Sequence, residues 1–340
     1  MRAALAIVVL ALSAGRADAQ VAVTVQLNPE GEMLASQLGV SSQELAAQIQ
    51  ARVDTAYDAS NVDGFLRSFA DATAFSMRGL GVDYVSMPKN LILGVGANVA
   101  VAASGDYNAE DRPTAGLSPN IAFMAGLNLS QYGHPRLTVF ANAFYRNAEL
   151  DSLNGSIGSF GAHLQWRVVQ PQADEGVATK VLRWTGIDVT TGVEVTKWSL
   201  GVEDDITTNV AVTGSGGSAG LVLDSTGRFD LTSTAATVPV EVSTGLRIAL
   251  LLSMYVGAGF DITGGKATLD TNLAGTLHTD DNRDVGTVTL TGGGDNSTSP
   301  AAARIFTGVQ LNLWKIKIYG QVNASATPAA NIGFGIRGVL

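Results

Sequence analysis

The chain has no cysteine. That excludes a disulfide framework, a thiolate metal site and a lipid anchor attached at a cysteine behind a cleaved leader. It has three histidines, His134, His163 and His278. None stands at a spacing from a serine or carboxylate that would suggest a nucleophile with its base, so the expectation is a protein that is not an enzyme and carries no cofactor. Charge is scarce at 15%, and mean hydropathy is +0.21, against about 25% charged residues in ordinary soluble chains. What charge there is leans acidic, with a formal net charge of −9, which argues against nucleic acid as a partner. Behind the first twenty residues there is no run of about eighteen apolar residues, so no spanning helix is expected.

The start of the chain has the form of an export leader. Arg2 supplies a positive first segment, Ala3 to Ala14 an apolar one, and Ala17-Asp18-Ala19 an A-x-A cleavage site before Gln20. Removal of Arg2, Arg16 and Asp18 takes the net charge to −10.

Alternating strands fill most of the remainder. In Arg304–Leu313, Ile305, Val309, Leu311 and Leu313 share one face and Arg304, Gln310 and Asn312 the other. Ile316–Ala324 and Asn331–Leu340 repeat the pattern, the last strand running to Leu340. Side chains alternate across a strand, so each strand has one greasy and one wet face. Counted along the chain from Asn90, ten such strands appear, each about ten residues long, the length of a tilted strand across the hydrocarbon layer. They are Leu91–Ala103, Asn120–Leu129, Leu137–Asn147, Gly158–Val168, Trp184–Leu200, Val238–Leu250, Ser253–Thr263 and the closing three. Short turns fall on one side. Long polar segments fall on the other, the largest being Gly201–Ala236 and Gly264–Ala301. With spanning helices absent, a membrane address leaves a closed antiparallel transmembrane β-barrel of about ten strands, because only helices and closed barrels satisfy their backbone in lipid. Twelve strands is the alternative, with Phe75–Met87 and part of Gly201–Ala236 adding a pair. A secreted β-sandwich or solenoid would share the leader and the alternation, but not the confinement of short turns to one side.

The domain plan is a signal peptide over 1–19, a helical segment over 20–73 and the barrel over 74–340. Ser41-Ser42-Gln43-Glu44 is a capping-box signature ahead of an apolar stripe of Leu45, Ile49, Val53 and Tyr57. Val62, Phe65, Leu66 and Phe69 mark a second helix. This segment is expected either as a periplasmic cap or as a plug that enters the lumen.

Over about residues 90–340 the chain resembles a bacterial outer-membrane β-barrel protein. The stretch Asn331-Ile332-Gly333-Phe334-Gly335-Ile336-Arg337-Gly338-Val339-Leu340 looks like the signal that barrel-assembly machinery reads in that class, with Leu340 where many members end in Phe. The resemblance implies export to the bacterial outer membrane, with membrane lipid and the assembly machinery as partners.

The wet faces nominate the lumen lining: Arg146, His163, Arg167, Asp188, Glu194, Glu241, Arg247, Asp261, Arg304, Lys317, Tyr319 and Arg337. Both signs are present, so these charges either pair across the lumen or line a polar channel. The expectation is a passive pore or transport protein for small hydrophilic solutes. The alternative is a structural or surface-interaction barrel with a closed lumen, acting through its external loops. Asp280-Asp281-Asn282-Arg283-Asp284 clusters oxygen ligands without the ordered spacing of a calcium loop, so no metal is assigned.

Overall fold

The computed structural model describes residues 17–56, 62–86, 91–104, 114–171 and 181–340. Most of the expected leader, Tyr57, the connector at Pro88-Lys89-Asn90, much of the polar stretch after Gly105 and most of Gln170–Lys180 lie outside the described residues.

The described chain opens with β1 (Ala17–Leu27) and three helices, α1 (Pro29–Leu38), α2 (Ser42–Ala56) and α3 (Val62–Phe75). Then come β2 (Leu91–Ser104), β3 (Thr114–Asn128), β4 (Leu137–Leu150) and β5 (Leu153–Val169). The long strands β6 (Leu182–Gly214), β7 (Gly217–Ile248) and β8 (Leu252–Thr279) follow. The last four are β9 (Asp284–Ser297), β10 (Ala301–Leu313), β11 (Ile316–Ser325) and β12 (Ala329–Val339).

Ten of these strands close an antiparallel ring, β2 to β8 in sequence order followed by β10, β11, β12 and back to β2. These are the ten that the alternation marks out. The extra pair of a twelve-stranded ring does not form, because Phe75–Ser86 is not a strand. Outside the ring, Val95, Phe123, Leu164, Phe260, Ile305, Val309, Ile318 and Phe334 are exposed; inside it, Asn98, Gln165, Asp261, Arg304, Gln310 and Arg337 are buried. A belt of large apolar side chains around a polar interior is the inverse of a water-soluble fold, and lipid is the solvent that suits it. The wall has one open seam. β3 and β4 pair only from Phe123–Asn128 to Thr138–Ala143, and above that Pro119 has no N–H to offer.

The two long segments read as loops, Gly201–Ala236 and Gly264–Ala301, are instead strands. β6, β7 and β8 run on past the ring, and β9 and β1 pair onto β8 in turn. This five-stranded extension stands at the end of the barrel opposite the short turns at Ala249–Leu251 and Trp314–Lys315. Its Gly, Ser, Thr and Asp content looks like loop composition. Yet threonine fits a strand as well as valine does, and every second residue is apolar where it counts.

Those apolar residues form a core of their own. Val23, Val210, Val212, Leu221, Leu223, Leu273, Leu277, Val288 and Leu290 pack beneath Ala35, Leu38, Leu45, Ile49 and Val53 of α1 and α2. Asn28 caps α1 by accepting from the Gly31 amide at 2.9 Å, and Pro29 occupies the first turn. Gly39 ends the helix at φ 67°, a left-handed conformation that glycine adopts without a Cβ penalty. The Ser41–Glu44 capping box forms as read: the Ser41 amide donates to Glu44 Oε2 at 2.8 Å, and the Glu44 amide donates to Ser41 Oγ at 3.2 Å. The Ser41 backbone and hydroxyl together hold the Glu44 carboxyl below its ordinary pKa. Ile49 is fully buried in this core. Ile49→Ala should therefore cost about 2–5 kcal/mol, seen as faster amide exchange in α2, β1 and β9 with ring amides unchanged.

Candidate functional sites in the lumen and on the β-extension

The helical segment divides between two places. β1, α1 and α2 belong to the extension, at the end of the barrel away from the short turns, and not at the turn end where a periplasmic cap would sit. α3 lies against the upper halves of β2 and β3 and against β7, β8 and β9, and the chain then runs through the lumen as Ser76–Ser86, buried throughout. α3 comes so near the wall that a Cβ on Gly116 would meet the backbone of Ser68 and Phe69. Asp71 fixes its other side, accepting from the Ser299 amide at 2.6 Å and hydroxyl at 2.9 Å.

Ser76–Ser86 is irregular, so its backbone groups need partners inside the barrel. The wall supplies them. Asn98 donates to the Arg78 carbonyl at 3.0 Å and Asn331 to the Phe75 carbonyl at 2.8 Å. Gln165 donates to the Asp83 carbonyl at 3.1 Å and Arg337 to the Val82 carbonyl at 2.7 Å. Charges complete the fit. Arg78 pairs with Glu194 and, at 3.1 Å, with Asp261. Asp83 lies 3.4 Å from Arg337 and accepts from the amides of Val85 and Ser86. The Tyr84 hydroxyl donates to Glu241 at 2.9 Å.

Of the residues nominated for the lumen, His163, Asp188, Glu194, Glu241, Asp261, Arg304, Lys317, Tyr319 and Arg337 are buried. Arg304 joins Glu241, Asp261 at 3.0 Å and Asn323 at 3.0 Å. Arg337 stacks 3.6 Å above the Tyr319 ring. His163 lies 3.6 Å from Glu194. Arg167 holds both oxygens of Asp188, at 2.9 and 3.1 Å. Arg247 and Lys317 stand lower, at the turn-side mouth. Arg146 is the exception: it is exposed, on the upper part of β4 beside the open seam, where it borders a cleft with Ile121, Ile157 and Trp198. The strand alternation is right for Arg146, but the wall has parted there. The sequence reading missed Arg78, Asp83 and Tyr84. Their signal was two charges in a short glycine-containing segment between an amphipathic helix and the first strand.

The extension has a bare face opposite its helices. Across its strands run the rows Thr24–Thr289–Ala274–Thr226–Asp205 and Gln26–Thr287–Thr276–Asp224–Thr207. Thr226 donates to Asp205 at 2.9 Å and Thr207 to Asp224 at 2.8 Å. A shallow groove of about 460 Å³ lies among these residues. Nearby, His278 meets Asp284 at 2.7 Å and Asp224 at 3.9 Å. The Asp280–Asp284 turn is closed by its own contacts, Arg283 donating to Asp281 at 2.8 Å. Among the described residues no group of three or more metal-ligating side chains is present. One motif escaped the sequence reading: Gly216-Gly217-Ser218-Ala219-Gly220 has the spacing of a hydrolase elbow. It lies at the β6–β7 hairpin tip and not at a strand-to-helix turn, the context that spacing requires.

Comparison with known proteins gives a family. The sequence profile of the Lsa36-like family matches residues 16–338. No curated protein matches. Among solved structures the chain is similar to CymD, a monoaromatic hydrocarbon channel, at 8% identity and a TM-score of 0.24, over 81% of this chain and 99% of that one. It is similar to the outer-membrane protease OmpT of Escherichia coli at 6% identity and a TM-score of 0.35, over 76% and 99%. It is also similar to Ail, the attachment invasion locus protein of Yersinia pestis, at 9% identity and a TM-score of 0.23, over 73% and 97%.

Proposed function

We propose that this chain, which belongs to the Lsa36-like family, is a bacterial outer-membrane β-barrel whose lumen is closed and whose work is done by binding at the outward β-extension. The observation that carries the reading is the occupied lumen. Ser76–Ser86 fills it, tied to the wall by Arg78 with Glu194 and Asp261 and by Asp83 with Arg337. A passive path for small hydrophilic solutes would need that segment to come away from the wall, and each buried pair opposes it. The extension, by contrast, spends five strands and two helices on holding a flat polar face in place. Hydroxyls and the carboxylates of Asp205 and Asp224 suit a polar partner carrying amines or guanidinium groups. Binding there asks no catalysis of the face.

Orientation is the first thing to test, and the lack of native cysteine makes single-cysteine labelling clean. Asp280→Cys on the extension and Glu30→Cys at the start of α1 should react with a membrane-impermeant maleimide on intact cells. Trp314→Cys at the β10–β11 turn should react only after permeabilisation. The reverse pattern would place the polar face in the periplasm and end the proposal. With orientation established, Asp205→Asn with Asp224→Asn should abolish salt-sensitive binding of a lysine decapeptide to the purified protein.

A further inference from the structure

The turn-side mouth of the lumen holds three cations that make no ion pair among the described residues. Below Ser86 is a pocket of about 400 Å³ bordered by Ser86, Arg183, Thr185, Arg247, Trp314 and Lys317. Arg183 and Arg247 face one another across the β6–β7 ladder, and Lys317 enters from β11. Among the described residues none of the three makes an ion pair. Two acids of the lower lumen are engaged elsewhere: Asp83 by Arg337 and two backbone amides, Asp188 by two nitrogens of Arg167. Three like charges held around one cavity repel each other unless a counter-charge enters.

The donors are also free to receive one. Lys317 gives one N–H to the Trp314 carbonyl, at 2.6 Å, which leaves two for a ligand. The Ser86 hydroxyl accepts from Gln310 at 3.0 Å, so its own proton can point into the pocket. Two guanidinium forks suit paired oxygens on one tetrahedral anion. Trp314 is 86% exposed beside the pocket, the position of an aromatic side chain at the membrane–water boundary.

We propose that this pocket is a phosphate-binding site at the periplasmic mouth of the barrel, formed by Arg183, Arg247 and Lys317. The phosphate belongs either to the headgroup of an anionic lipid in the facing leaflet or to a free phosphorylated solute. The site does not depend on the polar outer face being a binding surface. It is tested on the folded full-length mature protein with inorganic pyrophosphate in detergent by calorimetry, and with nanodiscs of phosphatidylglycerol or phosphatidylcholine by thermal unfolding. A free solute site predicts pyrophosphate binding that weakens with salt and drops on the order of tenfold in Arg183→Gln. A headgroup site predicts no pyrophosphate binding, but a higher unfolding temperature in phosphatidylglycerol than in phosphatidylcholine, a difference removed by Arg183→Gln with Arg247→Gln. Lys315→Gln, which alters a rim cation stacked on Trp314 outside the pocket, should change neither. Arg183 is exposed, so its variant should keep the fold, which heat-modifiable gel mobility checks. Failure of both pyrophosphate and phosphatidylglycerol to distinguish the protein from its Arg183→Gln variant overturns the proposal.

Discussion

Arg78→Ala should turn a silent barrel into a conducting one. In the intact protein the side chain is 1% exposed and bridges Glu194 and Asp261. Without it, among the described residues Glu194 keeps His163, at 3.6 Å, and Asp261 keeps Arg304. A buried carboxylate that loses its partner costs about 3–5 kcal/mol. That cost falls on the docked state, because once the segment comes away from the wall, water entering beside it solvates the same carboxylates. A shift of 3 kcal/mol moves a two-state equilibrium on the order of a hundredfold. Planar-bilayer recordings of the refolded mature chain should therefore show no steady conductance, and the variant should show discrete openings. Arg228→Ala, which removes an exposed pair with Asp230 on the extension, should stay silent. Steady conductance in the unaltered chain would mean that Ser76–Ser86 does not close the lumen. Silence in Arg78→Ala, with folding shown by heat-modifiable gel mobility, would mean that the luminal charges do not hold the segment in place.

The second large effect is expected at Arg304, and it falls on the ring itself. Arg304 is fully buried on β10 and reaches Glu241 on β7, Asp261 on β8 and Asn323 on β11. One side chain thus joins four strands. Arg304→Met keeps the bulk and removes the charge, leaving Glu241 with Tyr84 and Asp261 with Arg78. The expected loss is about 3–5 kcal/mol, read as a lower midpoint for loss of the compact gel band in urea. Adding Glu241→Gln should recover part of that loss, since the penalty comes from the stranded carboxylate more than from missing attraction. A double variant no more stable than Arg304→Met would show that the two groups are not coupled.

The ring was legible in the sequence because its physics is local. A strand between lipid and a polar lumen must alternate, and Arg304–Leu313 alternates whether or not its neighbours are known. Even the ion pairs were half visible, since Asp261 and Arg304 both stand on wet faces, one diagonal step apart on the paired strands β8 and β10. The extension was not legible, for a related reason. Its strands have one face against helices and one against water, and the waterward residues are Thr24, Thr226, Thr287, Thr289 and Asp224, the same types that make loops. Only Val210, Val212, Leu221 and Leu223, read together with the stripe of Leu45, Ile49 and Val53 some 160 residues earlier, give it away. That pairing is non-local, and no window along the chain contains both halves. Ser76–Ser86 was obscure for a third reason: its conformation is dictated by partners on many strands, not by its own periodicity. Arg146 failed because a correct alternation cannot report that β3 and β4 separate above Phe123.

The route of the chain has a consequence for how such a molecule is put together. Residues 17–56 sit beyond one end of the ring, β2 starts at the other end, and residues 62–86 connect them through the middle. The protein is a bead strung on its own thread. A ten-stranded ring has too little interior for a folded sheet-and-helix unit to slip through afterwards. The thread must be laid first, and the β12–β2 seam, paired from Ala329–Ala102 to Val339–Ile92, must zip around it. β1 can take its place only once β9 exists to receive it. The last hairpin of the sequence then acts as a clasp, and the first strand is among the last to be fastened.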